Sequence, residues 1–241
     1  MTTHSVSLLI NQVDLRRRLL LAASGALMVS PPRAYADLLS SLSSSDATAG
    51  IRAALERGAE AAVDLLGKTD GFWGNERVRI PLPDWLGKAE GLFRMLGRKK
   101  ELDDLHLSIN RAAEQAVPEA RSLLVGAVKS MTVQDAKGIL TGGENSVTQY
   151  FEKKTREPLA GRFLPIVTKV TQKSGLARQY DDIAQNAQSL GLAKGDVSIE
   201  HHVTNKALDG LFLMIGDEEK KIRANPAATG SAILQKVFGS L

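Results

Sequence analysis

Ala47-Thr48-Ala49-Gly50-Ile51-Arg52-Ala53-Ala54-Leu55-Glu56-Arg57-Gly58-Ala59-Glu60-Ala61-Ala62-Val63-Asp64-Leu65-Leu66, closed by Gly67, is the stretch whose reading decides the fold. Ile51, Ala54, Leu55, Ala61, Ala62, Leu65 and Leu66 recur at three- and four-residue spacing, the period of a helix that buries one face. Gly67 stands where such a helix ends. Immediately before it, Ser40 to Ser45 with Asp46 form a Ser-rich stretch that either stays flexible, as part of a lead over residues 37–46, or caps the helix.

Immediately after it, the periodicity stops. Residues 68–84 carry Gly71, Gly74, Pro81 and Pro83 among Phe72, Trp73, Val78, Ile80 and Leu82. That is too apolar for a solvated linker, so the segment reads as an ordered loop packed on the body, with a short strand expected at Val78 to Ile80. Beyond it helical spacing returns, at Asp84 to Leu96, at Glu101 to Val117, and from Pro118 to Lys129, where Pro118 kinks the chain or opens a new helix. Thr132-Val133-Gln134-Asp135 resembles a capping box with Asp in place of Glu, and Gly142-Gly143 closes the short helix it would start. Further helices are predicted at Val147 to Lys154, Leu159 to Thr171, Ala177 to Leu190, Ile199 to Ala224 and, with Asn225 as cap, Pro226 to Phe238. No stretch alternates long enough to build a sheet, and no repeat is evident. The expected fold is all-α: a single-domain helical bundle over residues 47–241, with one long irregular apolar loop near residues 68–84.

The N-terminus carries a different signal. Arg16, Arg17 and Arg18 precede the apolar run Leu19 to Val29, which is too short to cross a bilayer, and Ala34-Tyr35-Ala36 has the small-x-small form of a cleavage site. Residues 1–36 therefore read as an export signal peptide, which places the remainder, from Asp37, in the periplasm without a transmembrane anchor. Arg16-Arg17-Arg18-Leu19-Leu20 also resembles a twin-arginine motif, so both the general secretory and the twin-arginine routes stay open. Of the 31 Lys and Arg and 27 Asp and Glu, only Arg16, Arg17, Arg18, Arg33 and Asp14 lie in residues 1–36, which leaves 27 basic against 26 acidic groups, net +1. The pI near 9.3 is thus largely a property of the signal, and a near-neutral remainder gives no basic footprint for nucleic acid. Arg98-Lys99-Lys100 and Lys220-Lys221 sit beside Glu101 to Asp104 and Asp217 to Glu219, as on solvated helix faces. With no cysteine there can be no disulfide, thiolate nucleophile, lipoprotein anchor or Cys-ligated metal.

No catalytic motif emerges. Gly67-Lys68-Thr69 lacks the preceding glycine of a phosphate loop, since Ala62 stands there, and follows a helix where a strand is needed. His201 and His202 are adjacent and point about 100° apart on a helix, so they cannot chelate one metal together, and His106 stands alone; neither a metal nor another cofactor is expected. Asn110, Arg111 and Glu114 share one helical turn, and Asn205 and Asp209 repeat the spacing, with Leu208, Leu211, Phe212 and Ile215 as a core stripe opposite. The first set reads as a polar network locking two helices together, or alternatively as a small polar site.

Ordered blocks add a resemblance. Gly67-Lys68-Thr69-Asp70-Gly71-Phe72 with Gly74-Asn75, Ile80-Pro81-Leu82-Pro83, Asn110-Arg111-Ala112-Ala113-Glu114, Met131 to Ala136, Ile139 to Gly143, Thr148-Gln149-Tyr150-Phe151, and Thr204 to Phe212 together resemble the bacterial exported family catalogued as domain of unknown function 4197. The resemblance covers about residues 47 to 239 and implies an exported, mainly helical domain with no assigned activity. Two readings of function follow from the residues. The first is a non-catalytic module that binds a lipid or other hydrophobic small molecule, or an envelope protein, with Phe72, Trp73, Trp85, Phe93 and Met95 as one wall. The second is a hydrolase or other enzyme with a polar inter-helix pocket built from Asn110, Arg111, Glu114, Asp135, Thr148 and Tyr150.

Overall fold

Ser43 decides where the first helix starts. In the computed structural model, which describes residues 42–134, 136–189 and 198–241, its hydroxyl accepts the Asp46 amide at 3.0 Å and opens α1, Ser44–Leu66. Such a cap is worth about 1 kcal/mol, and the Ser-rich lead supplies it. There follow α2 (Asp84–Met95), α3 (Lys99–Ala116), a 3-10 turn (Val117–Ala120), α4 (Arg121–Ser130), α5 (Ala136–Leu140), α6 (Ser146–Ser174), α7 (Leu176–Ser189), α8 (Ile199–Ala224), a second 3-10 turn (Pro226–Thr229) and α9 (Ala232–Phe238). The fold is all-α, and no strand occurs among the described residues. The export-signal residues and Asp135 lie outside the described residues.

The core is built around α8, which buries Val203, Leu208, Leu211, Phe212, Ile215 and Ile222 and packs on α1 along one side and α6 along another. Close approach between α1 and α8 depends on Gly58: a Cβ there would lie 3.0 Å from Ile215 Cγ2. Helix α3 lies against α6 and α8, and α4 covers α1. The expected stripe Leu208, Leu211, Phe212 and Ile215 is fully inside.

Three expectations are corrected. Helix α6 runs unbroken through Pro158 and Pro165, where two separate helices were predicted. Both prolines are exposed, so the carbonyls of Lys154 and Gly161, deprived of an i+4 amide, turn toward water, while Leu159, Phe163 and Val167 hold the helix on the core. Thr132 caps no helix, because α5 starts only at Ala136. The segment Pro226 to Phe238 breaks at Gly230, whose φ of 68° no helix continues; Asn225 does cap its first turn, accepting the Ala228 amide at 3.2 Å.

Candidate functional site

The loop 68–83 is held by polar side chains of α3. Glu114, 4% exposed, accepts the amides of Phe72 and Trp73 on Oε1, both at 3.0 Å, and Arg111 Nη1 on Oε2 at 2.7 Å. Arg111 extends the chain of charges to Asp70, which sits at φ 64° in the tight turn after α1. One turn earlier, the Asn110 amide meets Ile80 as a neighbouring strand would: Oδ1 accepts Ile80 N–H at 2.8 Å and Nδ2 donates to Ile80 C=O at 2.9 Å. The short strand expected at Val78 to Ile80 is not formed: the Val78 and Arg79 amides turn back onto the Asn75 carbonyl, and an amide side chain satisfies Ile80 in place of a second strand. His106 donates Nε2–H to the same Ile80 carbonyl at 2.9 Å and His202 of α8 to the next, Pro81, at 2.8 Å. Burial pushes both imidazoles below their ordinary pKa, keeping them neutral. Phe72 is completely buried against Gly210, where a Cβ would come within 2.8 Å of its ring.

A second buried carboxylate repeats the device at the start of α6. Glu219, 2% exposed, accepts the amides of Val147 at 3.1 Å and Thr148 at 2.7 Å, the Thr148 hydroxyl at 2.7 Å, and Arg223 Nη2 at 2.8 Å. Arg223 in turn donates to Leu140 C=O and Ser146 Oγ, which ties the Gly142-Gly143 turn to α8. Glu219 thus caps a helix from outside that helix, and the sequence reading of Asp217 to Glu219 as a uniformly solvated cluster is corrected for it. Every oxygen of both carboxylates accepts at least one hydrogen bond from a backbone amide, the Thr148 hydroxyl or an arginine, an arrangement that stabilises structure.

A cavity of about 360 Å³ lies between the end of α4, the segment 131–134 and α6. Its floor is apolar, from Ala127, Met131 and Leu159, and Tyr150, Lys154, Pro158 and Arg162 follow one another along α6 at four-residue intervals on its wall. Tyr150 donates its hydroxyl to the Thr132 carbonyl at 2.9 Å and so fixes the far wall. Arg52 of α1 holds the Met131 carbonyl at 2.8 Å from behind. A second groove of about 440 Å³, between α1, the loop and α8, has Arg77 and Glu218 in its wall, but these are engaged by Asp217 at 2.5 Å and by Arg57 at 3.0 Å.

A family described as a protein of unknown function, DUF4197, matches residues 41–239. The chain belongs to the DUF4197 family. No curated protein and no solved structure matches it.

In this DUF4197 chain the predicted site residues separate into groups. Asn110, Arg111 and Glu114 serve the loop; Thr148 serves Glu219; Tyr150 lines the cavity. The Asn205/Asp209 pair does not face α3: Arg156 of α6 bonds Asp209, itself held by Lys206, and reaches the Asn205 carbonyl. The two polar sets therefore belong to different helix contacts. The aromatic residues do not share one wall. Trp73 stands edge-on to His106 with Arg79 over its face, Trp85 donates Nε1–H to Tyr180 Oη at 3.0 Å, Phe93 is buried beneath Arg98, and Met95 is 87% exposed at the tip of α2. Among the described residues no three His, Cys, Asp or Glu side chains gather as a metal would need, and no helix is long and apolar enough to cross a membrane. The cavity itself escaped sequence reasoning; its one legible trace is the spacing of Tyr150, Lys154, Pro158 and Arg162.

Proposed function

We propose that the protein is an exported, non-catalytic module that binds a hydrophobic small molecule in the cavity between α4 and α6. The observation that carries this reading is the half-open cavity with an apolar floor, whose volume falls within the range of small-molecule sites. The polar groups that a hydrolase would need are engaged elsewhere: Glu114 and Glu219 by backbone amides, Asn110 by Ile80, Thr148 by Glu219. Export rests on the signal-like residues 16–36, and the intact mass of protein from the native host's periplasm should correspond to a chain that begins at Asp37; a full-length product in the host's cytoplasm overturns that part.

The binding reading is tested with N-phenylnaphthylamine, a neutral apolar probe, and a series of linear alcohols as competitors. Saturable probe fluorescence is expected, abolished by Ala127→Trp, which fills the cavity from α4. Each methylene removed from water contributes about 0.8 kcal/mol, so shortening a competitor by two carbons should weaken it about tenfold while the shorter chain still lies inside. Absence of saturable binding, or binding indifferent to Ala127→Trp in a normally helical protein, overturns the reading.

A further inference from the structure

The cavity has a polar rim as well as an apolar floor, and among the described residues that line it the charged ones carry one sign. Lys154 and Arg162 both line it, eight residues apart on α6, which is about 12 Å along the axis with Pro158 midway. Both are exposed, and neither is joined to a carboxylate among the described residues, although Arg156 on the neighbouring face of the same helix is held by Glu152 and Asp209. Lys154 instead stands over the Tyr150 ring, 5.9 Å from its centroid. Among the described lining residues there is no Asp or Glu. Behind the Met131 wall stands a third cation, Arg52, whose buried Nε has no partner. An apolar floor beneath two long cationic side chains free to lean over Pro158 is complementary to a molecule with one apolar chain and one negative head.

We infer that the cavity takes a single-chain amphiphile with an anionic head, of the fatty-acid kind: the chain lies on Ala127, Met131 and Leu159, and the head sits at the rim between the Lys154 ammonium and the Arg162 guanidinium. This rests on the binding reading above and adds the head-group charge to it. Exposed ion pairs are individually weak and are screened by salt, so the two cations select the head while the apolar floor supplies most of the affinity.

Dodecanoate, dodecanol and dodecylammonium, titrated below their micelle concentrations against the full mature protein, separate the two claims. At low ionic strength dodecanoate should bind about tenfold more tightly than dodecanol, with dodecylammonium weakest, and the gap should close as salt is added. The double variant Lys154→Gln/Arg162→Gln should bind dodecanoate and dodecanol alike, and Lys154→Glu/Arg162→Glu should place dodecylammonium first. Equal binding of dodecanoate and dodecanol to the unaltered protein, or a preference that survives the double Gln variant, overturns the anionic-head inference and leaves the apolar site standing. Failure of all three to bind overturns both.

Discussion

Glu114 and Lys154 mark two ways in which this chain handles charge. On the loop side, a buried carboxylate is surrounded: two backbone amides and one guanidinium fill its oxygens, and the guanidinium is itself shared with Asp70. On the cavity side, cations stand at a rim with aromatic, apolar and uncharged polar neighbours, and no carboxylate is among the described lining residues. The first arrangement costs stability when the buried carboxylate is lost, because the Phe72 amide it holds cannot reach water. The second costs the fold little, because each cation is already solvated. Charge that is closed on itself reads as structure, whereas charge left open beside a cavity reads as recognition.

The largest effect should come from breaking the closed network. Glu114→Ala orphans the amides of Phe72 and Trp73 and leaves Arg111 with Asp70 alone, and the loss should be about 3 kcal/mol, or about 10 °C in melting temperature for a domain of this size. Glu219→Ala, which strands Val147, Thr148 and Arg223, should cost a similar amount. Glu114→Gln keeps one oxygen for the two amides but turns an amide donor toward Arg111. Adding Arg111→Met should therefore recover part of the loss. If thermal denaturation finds Glu114→Ala as stable as the parent, the loop is not anchored as described.

That network shows how much of the molecule can be read in the sequence. The helices were legible where the apolar period is clear: α8 is observed at Ile199–Ala224, and α2 begins at Asp84 as expected. The pairing of Arg111 with Glu114 was legible too, since i,i+3 spacing on one helix fixes it. What Glu114 and Asn110 hold was not, because Phe72, Trp73 and Ile80 lie thirty or more residues away and only the tertiary fold brings them near. Glu219 was misread for the same reason: beside Lys220 and Lys221 it looks solvated, and only its distance to Thr148 says otherwise. Pro158 and Pro165 misled in the opposite sense, since local sterics argue for a break that packing on the core overrides.

A smaller, pH-dependent effect separates the loop from the cavity. His106 and His202 each donate a hydrogen bond to a loop carbonyl, and burial lowers both pKa values from 6.5. The unfolded chain therefore takes up these protons first as pH falls. The sign is that the imidazoles' contribution to stability is complete above about pH 6.5 and declines below it, through the folded pKa values. Urea denaturation between neutral pH and about pH 5 should show this decline, and His106→Gln/His202→Gln should flatten it. An equally steep decline in the double variant would assign the pH dependence to other groups.

The smallest expected change is the most diagnostic for the cavity. Lys154→Gln/Arg162→Gln removes two exposed charges that no described carboxylate pairs with, so unfolding free energy should move by no more than about 0.5 kcal/mol. Glu114→Ala is the reference for a polar group that the fold needs, and the contrast between the two variants in one denaturation series is the comparison that matters. A loss of 2 kcal/mol or more (an order-of-magnitude threshold) in the cavity variant would mean that Lys154 or Arg162 is satisfied by a partner within the fold. The cavity would then belong with Glu114 and Glu219 as closed structure, and the charge at its rim would no longer distinguish a recognition surface from an anchor.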